Sequence, residues 1–419
     1  MSTVYTYVEI EGQSVFAGTA HTHLRHGREG SSFHYDPTYL GSEGAYALEP
    51  AMPLVSGEFP FFNGLPRSFR DASPDRWGRL LIEKTLHHAW RTSNTPPRSI
   101  TEVDYLLGTS DDTRQGALRF KQYDSESFVS TGTDVPKLLA LPTLLAASNE
   151  LCTDTHADSV MDYGAVKTLL DAGTGSLGGA RPKASVRDKD AQGNEMLCVV
   201  KFPHPADHWN VMRWERIALE LAARAGIDVP PNRLLPVGKQ RVLVLQRFDR
   251  GEGGTRIGYM SALTMLERDD GQTGDYLEIA DILSEMSEDV TVDLEQLWRR
   301  IVFTIAINNT DDHLRNHAVL RGKRAWRLSP AFDINPNPDL SEHRVTAIAG
   351  AASFDESLKA AHEMSEWFGL SAENASRIQG EVFGAIEQWE TVARINGATQ
   401  DELRLFAPVF SRVKQVRKK

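Results

Sequence analysis

Between positions 309 and 316 the chain reads Asn309-Thr310-Asp311-Asp312-His313-Leu314-Arg315-Asn316, and a further acid follows at Phe332-Asp333. No other stretch restricts the fold as much. Asp311 and Asn316 have to present their side chains to one centre from a single loop, and Asp333 has to return to that centre from a separate segment. A hard cation takes oxygen ligands and, when it also carries phosphates, needs only one or two protein carboxylates. A carboxylate able to take a hydroxyl proton, beside an amide and a second acid able to hold such a cation, is what phosphoryl transfer requires, because its catalysis is positioning and charge neutralisation. An Asp/Asn-rich turn explains the same residues by local hydrogen bonding, so the upstream sequence has to decide.

Upstream lies Gly173-Thr174-Gly175-Ser176-Leu177-Gly178-Gly179-Ala180-Arg181-Pro182-Lys183. Glycines let a backbone approach phosphates closely enough for N–H groups to bind them. A dinucleotide-binding turn would need a strand before the glycines and a helix after them. Here Val166 to Ala172 is helix-like and Ala184-Ser185-Val186 strand-like, so a phosphate-covering loop leading into a strand fits better. Next, Met196-Leu197-Cys198-Val199-Val200-Lys201-Phe202-Pro203 reads as a buried strand ending in one lysine. A lysine at a sheet rim with its head in water is the alternative for Lys201. A helix from about Val211 to Ala225 follows, with Trp214, Ile217, Ala218, Leu221 and Ala225 on one face and Gly226 to end it. Glu215 near its start is a candidate partner for Lys201, or a first-turn acid answering the helix dipole. A further strand, Arg241 to Arg250, runs into Gly251 to Gly254, a joint at which backbone groups can read an adenine edge and Phe248 and Asp249 can meet base and ribose.

The order Ser-Leu-Gly-Gly-Ala-Arg-Pro-Lys-Ala-Ser-Val, Val-Val-Lys-Phe-Pro, Leu-Val-Leu-Gln-Arg-Phe-Asp-Arg, Asn-Asn-Thr-Asp-Asp-His-Leu-Arg-Asn-His and Leu-Ser-Pro-Ala-Phe-Asp-Ile-Asn-Pro resembles the HipA family of bacterial serine/threonine kinase toxins. Phe61-Phe62-Asn63-Gly64-Leu65-Pro66 and Asp71 to Gly78 are similar to that family's N-terminal subdomain, so the resemblance spans nearly the whole chain. It implies an α+β, two-lobed protein-kinase-like fold with an added β-rich subdomain over 1–130, an N-lobe over 131–254 and a mostly helical C-lobe over 255–419. It implies ATP and Mg2+ as cofactors, Asp311 as catalytic base with His313 beside it, and Asn316 and Asp333 as metal ligands. It further implies that Lys201 pairs with phosphates, that Gly178, Gly179, Ala180, Arg181, Pro182 and Lys183 cover them, that Gln246, Arg247, Phe248 and Asp249 flank the adenine, and that Ser176 is an autophosphorylated loop serine. The implied partners are a small helix-turn-helix antitoxin (HipB-like), DNA only through that antitoxin, and a protein substrate such as an aminoacyl-tRNA synthetase, glutamyl-tRNA synthetase being the known type. His313 is equally a residue that fixes the loop by a structural hydrogen bond.

Composition agrees. At 419 residues the chain can bury a large core, and a net charge of −11 with a pI near 5.7 argues against autonomous nucleic-acid binding through a basic surface. Cys152 and Cys198 are the two cysteines; neither a disulfide nor a cysteine zinc site is expected, which suits a reducing cytoplasm. No signal-peptide design and no apolar run of membrane-spanning length is seen. Short strands and turns, including Val4 to Ile10 and Phe33 to Asp36, with a helix near Arg76 to His88, are expected before Tyr123, a linker over Asp124 to Thr133, and a helix over Val135 to Leu151. Leu294, Leu297, Trp298, Ile301, Val302 and Ile305 form a helical stripe leading to the catalytic loop, with Trp298 in the core.

Two other functions remain open at the level of sequence. Asp311 to Asn316 also resembles the catalytic loop of phosphoinositide kinases, so a lipid or small-molecule acceptor is one; the lack of a basic amphipathic segment weighs against lipid. A repressor-complex subunit that binds nucleotide without turnover is the other, though such a scaffold would not need Lys201, Asp311, Asn316 and Asp333 together. Among 13 histidines, His21, His23 and His26 sit near one another; a surface loop is expected there rather than a metal site.

Overall fold

The computed structural model describes residues 2–25, 27–122, 127–128, 135–153, 163–173 and 181–416. It has an α+β fold, in which 42% of the described residues are helix and 22% strand. Contacts divide the chain into two compact units, residues 1–206 with 236–260 and residues 207–235 with 261–419. The β-rich subdomain and the strands expected of an N-lobe thus share one unit, and the helix Val211–Arg224 falls in the other.

The first unit opens with an antiparallel sheet ordered β4-β3-β2-β1-β5, formed by β1 (Ser2–Ile10), β2 (Gln13–Arg25), β3 (Arg28–Tyr35), β4 (Glu58–Phe61) and β5 (Leu118–Gln122). Period-two alternation buries Val4, Thr6 and Val8 on one face of β1. The register shifts between Thr6 and Tyr7, opposite Gly18. A Cβ at Gly18 would lie 2.1 Å from the His34 carbonyl oxygen, so only glycine fits this bulge. Phe33, Phe69 and Phe120 fill the core in edge-on contacts, Phe69 to Phe120 at 4.8 Å between centroids. His21 and His23 are strand residues of β2, not loop residues, because the strand runs to Arg25; His26 lies outside the described residues.

A second antiparallel arrangement in this unit contains β6 (Lys183–Lys189), β7 (Glu195–Lys201) and β9 (Gln240–Gln246), with β8 (Asn232–Val237) bringing the chain back at Pro236. Lys183 pairs with Lys201, Val186 with Cys198, and Cys198 in turn with Gln246. Before β6 a helix, Tyr163–Asp171, ends at Gly173 with φ +65. Ser185 fastens that end by donating its N–H to Ala172 O at 3.1 Å and its hydroxyl to Gly173 O at 3.0 Å. The linker over Asp124 to Thr133 lies almost wholly outside the described residues. Beyond it, Leu138–Ala140 forms a 3-10 turn and Leu141–Thr153 the expected helix.

The second unit is mostly helical. Asn210 caps Val211–Arg224 by accepting the Arg213 N–H at 2.9 Å, and Gly226 closes it with φ +77. Its apolar face buries Trp214 against Phe406, rings stacked at 3.7 Å, a pair worth about 0.5–1.5 kcal/mol beyond its buried area. The helix Val290–Ala306 carries the expected stripe, with Leu297, Trp298, Ile301, Val302 and Ile305 fully buried. Trp298 donates its indole N–H to Ala361 O at 2.9 Å. Among the described residues no helix is long and apolar enough to cross a membrane. Cys152 and Cys198 form no disulfide with each other, and Cys198 is buried.

Candidate active site

The helix Val290–Ala306 delivers the chain to Asn308, whose φ of +56 ends the helix with a left-handed residue; asparagine tolerates this better than most side chains. Its amide donates to the carbonyls of Asn337 and Asp339 at 2.8 and 2.9 Å. Val345 donates its N–H to Thr310 O at 3.0 Å, and Arg344 reaches Asn309 O at 3.2 Å. The loop is therefore clamped by the segment from Asn337 to Val345 before the acidic pair begins.

The two acids of that pair have opposite environments. Asp311 is exposed, whereas Asp312 is buried and takes hydrogen bonds from the Tyr276 hydroxyl and from His317 Nε2, the latter at 3.1 Å. Burial alone would raise the Asp312 carboxyl; His317, Tyr276 and Arg344 more than offset it and hold the group below the usual carboxylate range. For Asp311 the balance has the other sign. Desolvation by the surrounding protein raises it, the charges of Asp333, Asp312 and Glu342 add to that, and His313 opposes. Of the two acids, only Asp311 is open to solvent and so able to exchange a proton with its surroundings. Asn316 fixes its amide by donating Nδ2 to Asp311 O at 3.2 Å, and its own N–H bonds His313 O at 2.8 Å. His313 caps the short Leu314–Asn316 turn with its backbone.

Asp333 stands close enough to Asp311 for its charge to matter, and its φ is +56. A non-glycine residue held in the left-handed region costs of order 1–3 kcal/mol and occurs at functional positions. Asn335 donates Nδ2 to Asp333 Oδ1 at 3.2 Å, while its own Oδ1 is buried without a donor among the described residues. Among those residues no three His, Cys, Asp or Glu side chains are placed to hold a metal by themselves. One carboxylate and one amide, completed by phosphate and water oxygens, are the donor set Mg2+ accepts, and the orphan acceptor beside Asp333 fits a hydrated ion.

In the first unit, Lys201 ends β7 and is 8% exposed. Arg181 and Pro182 lead into β6, and Phe202 donates its N–H to Pro182 O at 2.9 Å. Ser176, Gly178, Gly179 and Ala180 lie outside the described residues. Lys183 is buried and its ammonium bonds Asp75 Oδ2 at 2.5 Å, so its side chain is engaged with the N-terminal subdomain. Arg247 and Asp249 likewise turn inward. Asp249 accepts from Arg247, Arg250 and the Gly116 N–H, and Arg247 also donates to Thr113 O and Arg114 O. Burial would raise Asp249, but the Arg247 and Arg250 guanidiniums hold its carboxyl far below the usual range. At this joint Gln246 and Phe248 keep half-buried side chains, and Arg247 and Asp249 have only backbone to offer a nucleotide. Sequence reasoning did not single out Tyr276, His317, Arg344, Glu342, Asp75 or Asn335 for these roles. Asn335, two positions from Asp333, His317, next to Asn316, and Asp75, within Asp71 to Gly78, each lay in a quoted motif.

This α+β fold, with strands and a lysine in one unit and an acidic loop in the other, is that of the HipA-type kinase-like proteins. The model of the HipA N-terminal domain matches residues 14–121 and that of the HipA-like C-terminal domain residues 175–390. The chain belongs to the HipA family. A Haemophilus influenzae protein named "Putative kinase" is 24% identical over 200 residues, 41% of this chain and 57% of its own. Two Sinorhizobium fredii proteins are named "Putative kinase Y4dM" and "Putative kinase Y4mE". The first is 28% identical over 38% of this chain and 44% of its own, the second 24% identical over 76% of each. The chain thus spans about half the length of the first two curated relatives it matches. Among solved structures, HipA of Shewanella oneidensis MR-1, determined as a toxin–antitoxin complex with HipB and operator DNA, covers 98% of this chain and 95% of its own. The TM-score is 0.68 at 14% identity, a likeness of fold.

Proposed function

We propose that this chain is an ATP-dependent serine/threonine protein kinase acting as the toxin of a toxin–antitoxin pair in the cytoplasm. The observation that carries the reading is the division of labour between Asp311 and Asp312, one exposed with a raised carboxyl and the other locked inside. Mg2+-ATP, when bound, supplies the γ-phosphoryl group and neutralises the charge that develops on it. The chain's residues do the rest. Asp311 aligns the acceptor hydroxyl and takes its proton as the oxygen–phosphorus bond forms and ADP leaves. Asn316 and Asp333 hold the cation. Lys201 and the loop from Gly178 to Lys183 face the phosphates, the loop through its backbone, and Gln246 to Phe248 face the adenine. The acceptor is a serine or threonine of a protein, an aminoacyl-tRNA synthetase being the substrate that family resemblance suggests. The HipB and operator DNA in the Shewanella complex support a helix-turn-helix antitoxin as partner, with DNA reached through it.

The test is incubation of the purified chain with labelled ATP and a cell lysate, followed by identification of the labelled proteins. Wild type should label one or a few proteins on serine or threonine, and Asp311→Asn should label none while still binding nucleotide. Equal labelling by Asp311→Asn removes the assignment.

A further inference from the structure

The segment after Asp333 is held at both ends. Ala331 donates its N–H to Asp228 O at 2.7 Å, and Asn337 donates its N–H to Asn308 O at 3.1 Å. Between them burial alternates: Ile334 and Pro336 are buried, while Asp333 and Asn335 are half-buried. Pro336 also restricts Asn335 to extended backbone, which narrows where its side chain can start from. That amide donates to Asp333 Oδ1 at 3.2 Å, and its oxygen is buried with no donor among the described residues. A buried amide oxygen without a partner carries an uncompensated desolvation penalty. Such groups are retained where an ion or ordered water completes them. The carboxylate it grips sits on strained left-handed backbone, which a neighbouring hydrogen bond helps to hold.

We infer that Asn335 is a positioning residue for the metal. Its Nδ2 fixes the Asp333 carboxylate, and its Oδ1 accepts a hydrogen bond from a water in the cation's coordination shell. This rests on the reading of Asp333 as a metal ligand given above. Outer-shell partners of this kind typically change metal affinity by about 10–100-fold when removed. The geometry explains why an amide stands here: a carboxylate would repel Asp333, and an alcohol offers one rotor where donor and acceptor must point to different groups.

The experiment measures Mn2+ affinity of the full chain in the presence of ADP, by the electron paramagnetic resonance signal of free Mn2+. Asn335→Ala, Asn335→Leu, which keeps the volume, and Asp333→Asn are compared with wild type, together with melting temperature and metal-free ADP affinity. Both Asn335 variants should bind Mn2+ roughly tenfold or more weakly, with metal-free ADP affinity unchanged, and Asp333→Asn should lose Mn2+ binding. If Asp333→Asn loses Mn2+ and a folded Asn335 variant binds it within twofold of wild type, the role of Asn335 is overturned while the metal reading survives. If Asp333→Asn binds Mn2+ like wild type, both fall together.

Discussion

Tyr276 donates its hydroxyl to Asp312 in the interior of the second unit, and this bond helps to hold one of two adjacent acids inside while Asp311 stays exposed. Asp311→Asn should therefore lower phosphoryl transfer by about 10²–10³-fold, the usual cost of removing a group that acts at the transition state, with nucleotide affinity within a few-fold. Its folded carboxyl is raised, so whatever stability it contributes is present at low pH and lost as pH rises through its folded value. At pH 8 Asp311→Asn should melt at or above the wild-type temperature. Asp312 is lowered and stabilises at neutral pH, so Asp312→Asn should melt well below wild type. Kinetics and calorimetry on the two variants check both signs.

Glu342 gives a prediction in pH. Its negative charge is among those that raise Asp311, and its carboxylate accepts from Asn337 Nδ2 at 2.6 Å and Thr310 Oγ1 at 3.1 Å. Glu342→Gln keeps an acceptor and removes the charge. Asp311 then ionises at lower pH, and the acidic limb of the rate profile should move down in pH. An unmoved or upward-shifted limb would mean that Asp311 is not the group titrating.

The pair of Asp75 and Lys183 lends itself to a stability cycle. Asp75 Oδ1 caps the helix Arg76–Thr92 through the Gly78 N–H at 2.9 Å while Oδ2 holds the Lys183 ammonium. Asp75→Asn retains a competent cap and removes the carboxylate that a buried ammonium bonds, so it should cost up to about 3–5 kcal/mol in denaturant unfolding. Asp75→Asn combined with Lys183→Met should recover most of that, because a buried pair replaced by apolar volume is often neutral. Additive losses would show that the two side chains do not depend on each other.

Ser176 is expected to carry phosphate after incubation with Mg2+-ATP, and not in Asp311→Asn; peptide mass spectrometry reads both. About −1.5 to −2 charges on a loop meant to cover ATP phosphates should weaken nucleotide binding. Unchanged ATP affinity in the stoichiometrically phosphorylated protein would reject the switch.

Much of the site was readable along the chain because its chemistry is local. Asp311, His313 and Asn316 are five residues or fewer apart, and the helix that leads to their loop announces itself by a 3.6-residue stripe. Lys201 was readable as the end of an apolar run. What escaped was long-range and directional. Nothing near Arg247 or Asp249 in sequence shows that they face Thr113, Arg114 and Gly116, and Lys183 meets its counterion 108 residues away. A strand end shows which residues alternate, not which face is covered by a distant segment. The histidines of β2 illustrate the same point, since a mixed-polarity strand is not distinguished from a loop by composition.

The two units are interleaved along the chain, residues 207–235 of the second being made before residues 236–260 of the first. During synthesis β7 therefore waits for its neighbour β9 until a piece of the other unit has already left the ribosome, and Asp249 cannot reach Gly116 until then. A nascent chain stalled near residue 206 would display an unfinished sheet, with the edge of β7 that later pairs with β9 still open.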